Sequence, residues 1–518
     1  MEFCARLDFL KLAVCGLAVA AFACDSKAQA SAATSPNIVY VLCDDLGYGD
    51  VQYLNPLRGK IPTPNIDRLA RQGMIFTDAH SGSSVCTPTR YGILTGRYAW
   101  RTRLQSGVLF GLSAPLIARD RLTVASLLKR AGYHTACIGK WHLGLGWAGQ
   151  KTDDPDLRGV TVDYTQPLSD SPLAHGFDSF FGITGSLDMP PFVWIENDHL
   201  TEQPTAKKKW VRAGVAGPSF EAVDVLPTLT RKAADYIGSR AADAKAGKPF
   251  FLYLPFTSPH APIVPSPEWR GKSGLNPYAD FVMQTDHCLG QVLDALEKNG
   301  LVESTLVVFT SDNGCSPVAN IKELESKGHY PSAQFRGYKA DIWDGGHRIP
   351  FICRWPAKIK AGTSSSQLVC LTDLMATCAE LLGERLPGNA GEDSVSLLPA
   401  LFGLDRVPLH EAVVHHSING MFSIRQGPWK LELCPGSGGW SAPGDPAARK
   451  AGLPPVQLYN MELAADEQKN LQAEHPEIVA KLTKLLERFV AEGRSTPGAP
   501  QTNDAPIVIR KPVGKKAK

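Results

Sequence analysis

Residues 37–43 read Asn-Ile-Val-Tyr-Val-Leu-Cys, an apolar run that stops abruptly at Asp44-Asp45. A strand with one wet face alternates polar and apolar residues; an unbroken run of this length is the pattern of a strand covered on both faces, as in a parallel sheet. Three more segments behave alike. Residues 135–138 lead to Lys140 and His142, 250–256 to His260, and 306–310 to Asp312-Asn313. Helical signals fill the intervals: Thr123 as a cap ahead of Val124, Leu127 and Leu128 with Gly132 beyond, then Val292, Leu293 and Leu296 with Gly300, then residues 372–383. Strand, helix, strand in this order predicts right-handed crossovers and an α/β fold, a large mostly parallel sheet with helices on both faces. Ligands of such sheets bind beyond the carboxyl ends of the strands. The four polar clusters are therefore expected to meet in one cleft.

Past about Pro408 the texture changes. Val413-Val414-His415, Phe422-Ser423-Ile424-Arg425 and Trp429-Lys430-Leu431-Glu432-Leu433 read as short antiparallel strands, followed by a Gly- and Pro-rich stretch over 435–455. A last helix is expected from about Pro476, with Ile478, Val479, Leu482, Leu485, Leu486 and Phe489 on one face. The reading is a main domain over 36–408, a smaller C-terminal α+β subdomain with a short antiparallel sheet over 409–495, and a flexible basic tail over 496–518. That tail carries Arg510, Lys511, Lys515, Lys516 and Lys518.

The chain has 518 residues, 43% of them hydrophobic, and a formal net charge of +3, which suits a large core and argues against a nucleic-acid binder. Arg6 and Lys11 precede an apolar run over 12–23, and Ala28-Gln29-Ala30 supplies a small-residue cleavage pattern, so 1–30 reads as an export signal. The run is too short for a transmembrane anchor. The expected location is periplasmic or extracellular, with lipid anchoring at Cys24 ranked second because Ala21-Phe22-Ala23 is a poor lipidation signal. Of the twelve cysteines, Cys4, Cys15 and Cys24 fall in this signal, leaving nine. An odd number in an exported chain implies an unpaired or modified thiol. Cys43, Cys137, Cys353 and Cys370 sit in strand-like runs, as inert buried thiols do; Cys86 does not.

Cys86 opens the stretch Cys86-Thr87-Pro88-Thr89-Arg90-Tyr91-Gly92-Ile93-Leu94-Thr95-Gly96. Pro88 fits the first turn of a helix, which puts Cys86 at a helix N-terminus, where backbone N–H groups favour an anion, and Arg90 one turn on can point back to it. Cys86-x-Pro88-x-Arg90 with Leu94-Thr95-Gly96 resembles the signature of the formylglycine-dependent sulfatases, the arylsulfatase family of the alkaline phosphatase superfamily. The resemblance implies that Cys86 is oxidised by a formylglycine-generating or sulfatase-maturing enzyme to formylglycine, whose hydrate carries two hydroxyls on one carbon.

Other positions follow the same likeness. Asp44, Asp45, Asp312 and Asn313, with the converted Cys86, resemble the family's metal ligands, and an all-oxygen set suits Ca²⁺. Gly139-Lys140-Trp141-His142 resembles the second motif, with Lys140 on a sulfate oxygen and His142 near the formylglycine. Ser258-Pro259-His260-Ala261-Pro262 resembles the third, with His260 at the leaving oxygen, and Lys339 followed by Asp344-Gly345-Gly346 and Arg348 resembles the last. Leu458-Tyr459-Asn460 is also family-like. Singly, each has a plainer reading as a turn residue or solvated side chain; four matches in the family's order outweigh it. The implied cycle has one hydroxyl attacking sulfur with help from Asp312, His260 protonating the departing alcohol, and His142 deprotonating the other hydroxyl to expel sulfate. The expected substrate is a sulfated carbohydrate, with an aryl sulfate as surrogate. Ser186 and Asp188, in a loop 186–194, are candidate substrate contacts. The rivals are a phosphonate monoester or phosphodiester hydrolase of the same superfamily, and a carbohydrate-binding scaffold with an unconverted Cys86.

Overall fold

The computed structural model describes residues 35–149 and 162–511. The export signal, Cys24 and Lys515, Lys516 and Lys518 lie outside the described residues. The apolar run at 37–43 is the central strand β1 (Asn37–Asp44) of a ten-stranded sheet. The other strands are β2 (Met74–Phe76), β3 (His134–Lys140), β4 (Ser179–Ile183), β5 (Ile195–Glu196), β6 (His199–Leu200), β7 (Phe250–Pro259), β8 (Thr305–Ser311), β9 (Phe351–Arg354) and β10 (Thr363–Ser365). Their order is β10-β2-β9-β8-β1-β7-β3-β4-β5-β6. The run β8-β1-β7-β3-β4 is parallel throughout, with Val41 opposite Leu254 of β7 and Phe309 of β8. Antiparallel strands appear only toward the edges, so the sheet is mixed and its core parallel.

Alternate residues of β1 enter different cores, which is why that run has no polar position. Ile38, Tyr40 and Leu42 pack with α2 (Cys86–Thr95), α3 (Val124–Arg130) and α6 (Leu374–Leu381). Val39, Val41 and Cys43 pack with α1 (Pro64–Gln72), α4 (Val225–Lys245) and α5 (Pro277–Lys298). Local signals set the helix ends as expected for α3, where the Thr123 side chain accepts from the Ser126 amide. The segment around Val292–Leu296 proves to be the end of the long α5, which begins at Pro277 with the Asn276 side chain as its cap. Among the described residues no helix is long and apolar enough to cross a membrane.

The C-terminal strands β11 (Val413–His416), β12 (Phe422–Gln426), β13 (Trp429–Glu432) and β14 (Gln457–Asn460) form an antiparallel sheet under α7 (Pro476–Ala491). Leu482, Leu485, Leu486 and Phe489 of α7 share a core with Val414, Ile424, Leu431 and Leu458. Lys430 anchors this sheet to the main body: its buried ammonium lies 2.9 Å from Asp344, 3.0 Å from Glu432 and 2.7 Å from Glu467.

The expectation of a flexible tail from 496 does not hold for residues 496–511. Asp504 pairs with Arg97 at 2.9 Å, Arg101 donates to Asn503 at 3.0 Å, Gln105 donates to the Pro506 carbonyl, and Lys511 donates to the Gln105 carbonyl. Arg97 and Arg101 are fully buried, and a buried guanidinium needs acceptors: Glu392 and Asp393 of the main domain meet part of that need and residues 502–504 meet more of it. Composition counted the tail's cations and missed the acceptors at 502–506.

Arg101 also forms a two-pronged pair with buried Asp393, at 2.8 and 2.7 Å. Burial pushes the Asp393 carboxyl up, but Arg101 and the Tyr98 amide hold it below the ordinary carboxylate range. A depressed carboxyl stabilises the fold above its unfolded pKa, about 3.9, and loses that contribution as pH falls. Asp393→Ala is expected to reduce unfolding free energy by about 3–5 kcal/mol at neutral pH, read by urea denaturation. The gap from the parent should narrow only below about pH 4; an undiminished gap in acid would contradict an ionic origin.

Candidate active site

Four parallel strands end on the same side of the sheet, and each delivers polar residues there. β1 gives Asp44 and Asp45, β3 gives Lys140 and His142, β7 gives His260, and β8 gives Asp312 and Asn313. Facing them is the N-terminus of α2, whose first residue is Cys86 and whose chain ends at Gly96 in the left-handed region (φ 63°). Side-chain donor atoms of Asp44, Asp45, Cys86 and His260 all lie within 4.8 Å of one another. Asn313 donates to Asp45 at 2.8 Å, and the Asp45 amide donates to Asp312 at 3.2 Å. Residues more than two hundred positions apart thus form one cluster.

Three carboxylates here meet three fixed cations. Lys140 lies 2.7 Å from Asp44, Lys339 2.6 Å from Asp45, and Arg90 donates through Nε (3.1 Å) and Nη2 (2.7 Å) to one oxygen of Asp312. Arg90 also reaches within 3.7 Å of Asp44 and donates to the Lys140 carbonyl at 3.2 Å. Burial raises the Asp312 carboxyl to about 6, with Asp44 adding to the rise against Arg90. Burial pushes the Cys86 thiol up, yet Lys140 and Lys339 together draw it well below its usual value. The cleft therefore favours negative charge at the Cys86 position.

The two histidines differ. His142 is pushed well below its usual value by burial, then by Lys140 and Arg90. Its Nε2 lies 2.7 Å from the Leu109 carbonyl, an acceptor only, so the proton sits on Nε2 and the unpartnered, buried Nδ1 keeps a lone pair. That is the form of a base. His260 is lowered by burial and by Lys339, but Asp45, Asp44 and the hydrogen bond with Cys86 together lift it to about 9. It hydrogen-bonds Cys86, and its Nε2 stands 3.7 Å from Asp45. That is the form of an acid. The sequence placed no histidine with the oxygen set; the structure brings His260 alongside it.

The backbone is held in unusual conformations to achieve this. Asp45 (φ 67°), His142 (φ 58°) and Ala340, next to Lys339 (φ 81°), are all left-handed without being glycine. Such residues persist only where the surroundings fix them, and they cluster at functional sites. For Asp45 the fixing partner is Tyr278, whose one hydroxyl proton is shared between the Asp50 carboxylate at 2.6 Å and the Asp45 carbonyl at 3.1 Å.

A family model described as Sulfatase matches residues 36–384. The chain belongs to the sulfatase family. An N-acetylgalactosamine-6-O-sulfatase of Bacteroides thetaiotaomicron is 32% identical over 90% of this chain and 95% of its own. Human arylsulfatase A is 32% identical over 88% of this sulfatase and 87% of its own length. A solved structure from work on metabolism of multiple glycosaminoglycans by Bacteroides thetaiotaomicron superposes with a TM-score of 0.76 at 32% identity, covering 88% of this chain and 99% of that one. The enzyme class is thus a sulfuric ester hydrolase.

The remaining sequence candidates lie at the edge of the cluster. Ser186 accepts from Lys140 at 2.7 Å. Asp188 is taken up on one oxygen by Arg212, from the turn after Ala206–Lys209, while its other oxygen is buried and unpartnered. Arg348, which follows the last motif, points away to Asp78 and Asp344. The sequence reading missed Tyr278, Arg212 and the Leu109 carbonyl, since each acts through a contact from a distant segment.

Arg90→Lys cannot reproduce the fork that joins Asp312 to the Lys140 carbonyl. It is expected to cost about 1–3 kcal/mol of stability through the unpaired buried carbonyl. A thermal-unfolding midpoint equal to the parent's would refute this reading of the fork.

Proposed function

We propose that this sulfatase is an exported enzyme that hydrolyses the 6-O-sulfate ester of a galactosamine unit in a glycosaminoglycan, using a formylglycine made from Cys86 and a bound calcium ion. The observation that carries the substrate is the 32% identity to an N-acetylgalactosamine-6-O-sulfatase over nearly the whole of both chains. The donor set fits calcium: the Asp44 Oδ1 and Asn313 Oδ1 oxygens are buried without a hydrogen-bond partner, as acceptors reserved for a cation would be. Asp44, Asp45, Asp312 and Asn313 would hold the ion, whose contribution is to draw charge from the sulfate oxygens and from the nucleophile. Formylglycine supplies a hydrated aldehyde, one hydroxyl to attack sulfur and a second whose deprotonation expels sulfate.

The chain's own residues do the rest. Lys140 and Lys339 flank the Cys86 position and neutralise a sulfate group presented to it, and Arg90 locks Asp312 in place. His260 protonates the alkoxide leaving the sugar, which as a primary alcohol is too basic to leave unaided. His142, with a lone pair on Nδ1, accepts the proton of the second hydroxyl. Three carboxylates balanced by three cations leave a net positive site once a dication is added, which is what an anionic ester requires. The N-terminal signal and a maturing enzyme acting on Cys86 complete this reading.

Cys86→Ala is expected to leave the far-ultraviolet circular dichroism intact and abolish sulfate-ester turnover. Protein made alongside a maturing enzyme should show a Cys86 peptide about 18 Da lighter than the thiol form; turnover by a fully unconverted sample would sink the nucleophile assignment. Calcium at about 100 times its Kd should add about 2.7 kcal/mol to stability. Asp45→Asn and Asp312→Asn should each remove most of that gain in a thermal-shift titration. The substrate is tested with the matured enzyme on oligosaccharides sulfated at O6 or O4 of galactosamine or at O6 of glucosamine, beside an aryl sulfate and an aryl phosphodiester. Preference for O6 of galactosamine by at least tenfold is expected. A faster phosphodiester reaction would transfer the chain to the phosphonate and phosphodiester hydrolases.

A further inference from the structure

Away from the sulfate cleft, three histidines with no part in the reaction come together in the interior. His80 ends the two-residue strand Ala79–His80, His347 closes the short helix Asp344–His347, and His415 lies in β11. All three are fully buried, and their inward nitrogens lie within 4.8 Å of one another. Each ring is held by its outer nitrogen: His80 Nε2 at 2.9 Å from Asp78, His347 Nε2 at 3.0 Å from the Ile342 carbonyl, and His415 Nδ1 at 3.1 Å from the Ser423 hydroxyl. This leaves His80 Nδ1, His347 Nδ1 and His415 Nε2 facing inward. The first two are 2.9 Å apart, and the third is buried without any hydrogen-bond partner.

The carboxylate and carbonyl at the outer nitrogens of His80 and His347 fix a proton there and leave a bare lone pair inside, and the Ser423 hydroxyl is able to accept from His415 in the same way; this is how metal-binding imidazoles are oriented. We propose that His80, His347 and His415 form a second metal site, for a borderline divalent ion such as zinc, which clamps the C-terminal sheet to the main domain. Three inward-facing imidazoles, with the Asp78 and Asp344 carboxylates on the outer nitrogens of the rings, suit a d-block ion and not calcium, so this site and the oxygen cluster take different metals. The facing charges are Asp78 and Asp344 against Arg348 and Lys430, with Asp344 Oδ1 3.8 Å from His347 Nε2. Burial, the largest influence, keeps all three rings below their usual pKa and so in the neutral form a metal needs. The His347 and His415 rings stack with centroids 3.9 Å apart and 10° between planes. Lone pairs point in the ring plane, so one of these rings turns about χ2 to share an ion. The rival is purely a packing arrangement: His80 protonated on Nδ1, donating to His347 and accepting from Arg348 at 3.1 Å. That rival puts a bare nitrogen against the Asp78 carboxylate and still leaves His415 Nε2 unpartnered.

The test uses the full chain carrying Cys86→Ser, made without a histidine tag and held in excess Ca²⁺ so that neither the thiol nor the carboxylate cluster competes. Titration with Co²⁺ should give visible d–d bands of a four-coordinate ion saturating at one per chain, no thiolate charge-transfer band, and bleaching by Zn²⁺. His415→Phe, which keeps a ring on His347, should lose the bands and weaken Co²⁺ binding at least a hundredfold. Uptake of no Co²⁺, or bands that persist in His415→Phe, would overturn the site. Should that variant fail to fold, X-ray absorption of the Co²⁺-loaded chain decides: three imidazoles support the assignment, and any other ligand set overturns it.

Discussion

The architecture of this sulfatase rests on an enforced pairing of unlike charges at the carboxyl ends of a parallel sheet. Asp44, Asp45 and Asp312 on adjacent strands would repel one another in a dry interior, and each is held by one cation, Lys140, Lys339 or Arg90. None of these pairs is a local contact: the cations come from another strand end, a loop near residue 339 and helix α2. The sheet must therefore be assembled before any of the charges is compensated. Conversely, breaking a buried pair leaves an uncompensated ion and costs far more than the pair contributes net. Tertiary order and site order are the same event in this molecule.

Much of that was legible from the chain. The apolar run at β1 announced a strand buried on two faces because both cores claim its alternate residues, and the polar stops after β1, β3, β7 and β8 announced the cleft. Short-range rules served where the cause was short-range, as at Thr123 or at the Gly96 stop of α2. They failed where the cause was remote. The left-handed backbones at Asp45 and His142 are met by Tyr278 and by the Thr184 carbonyl, which accepts from the His142 amide, and nothing in the neighbouring residues marks them. The start of α5 was missed because buried polar residues, Asp280, Gln284, Thr285 and Asp286, interrupt its apolar pattern and only Asn276-Pro277 signals the cap.

The chain's end shows the same limit. Read as composition, it is a basic, Pro-containing solvated end. Read as partners, residues 502–506 are the acceptors that buried Arg97, Arg101 and the nearby Gln105 require. A charge count cannot distinguish a free cation from a segment whose oxygens are spoken for elsewhere. The histidines at 80, 347 and 415 were passed over for a related reason: widely separated in the chain, they acquire a common identity only through the packing of the small sheet on the large one.

Cys86 is 2% exposed, sealed under the strand ends it serves. A thiol so enclosed is out of reach of any macromolecular reagent while the fold stays closed. Arg97 and Arg101, a short link past α2, are held from two sides, by Glu392 and Asp393 and by residues 502–504. Residues 502–504 thus work as an outer brace on the segment that leaves the thiol's helix.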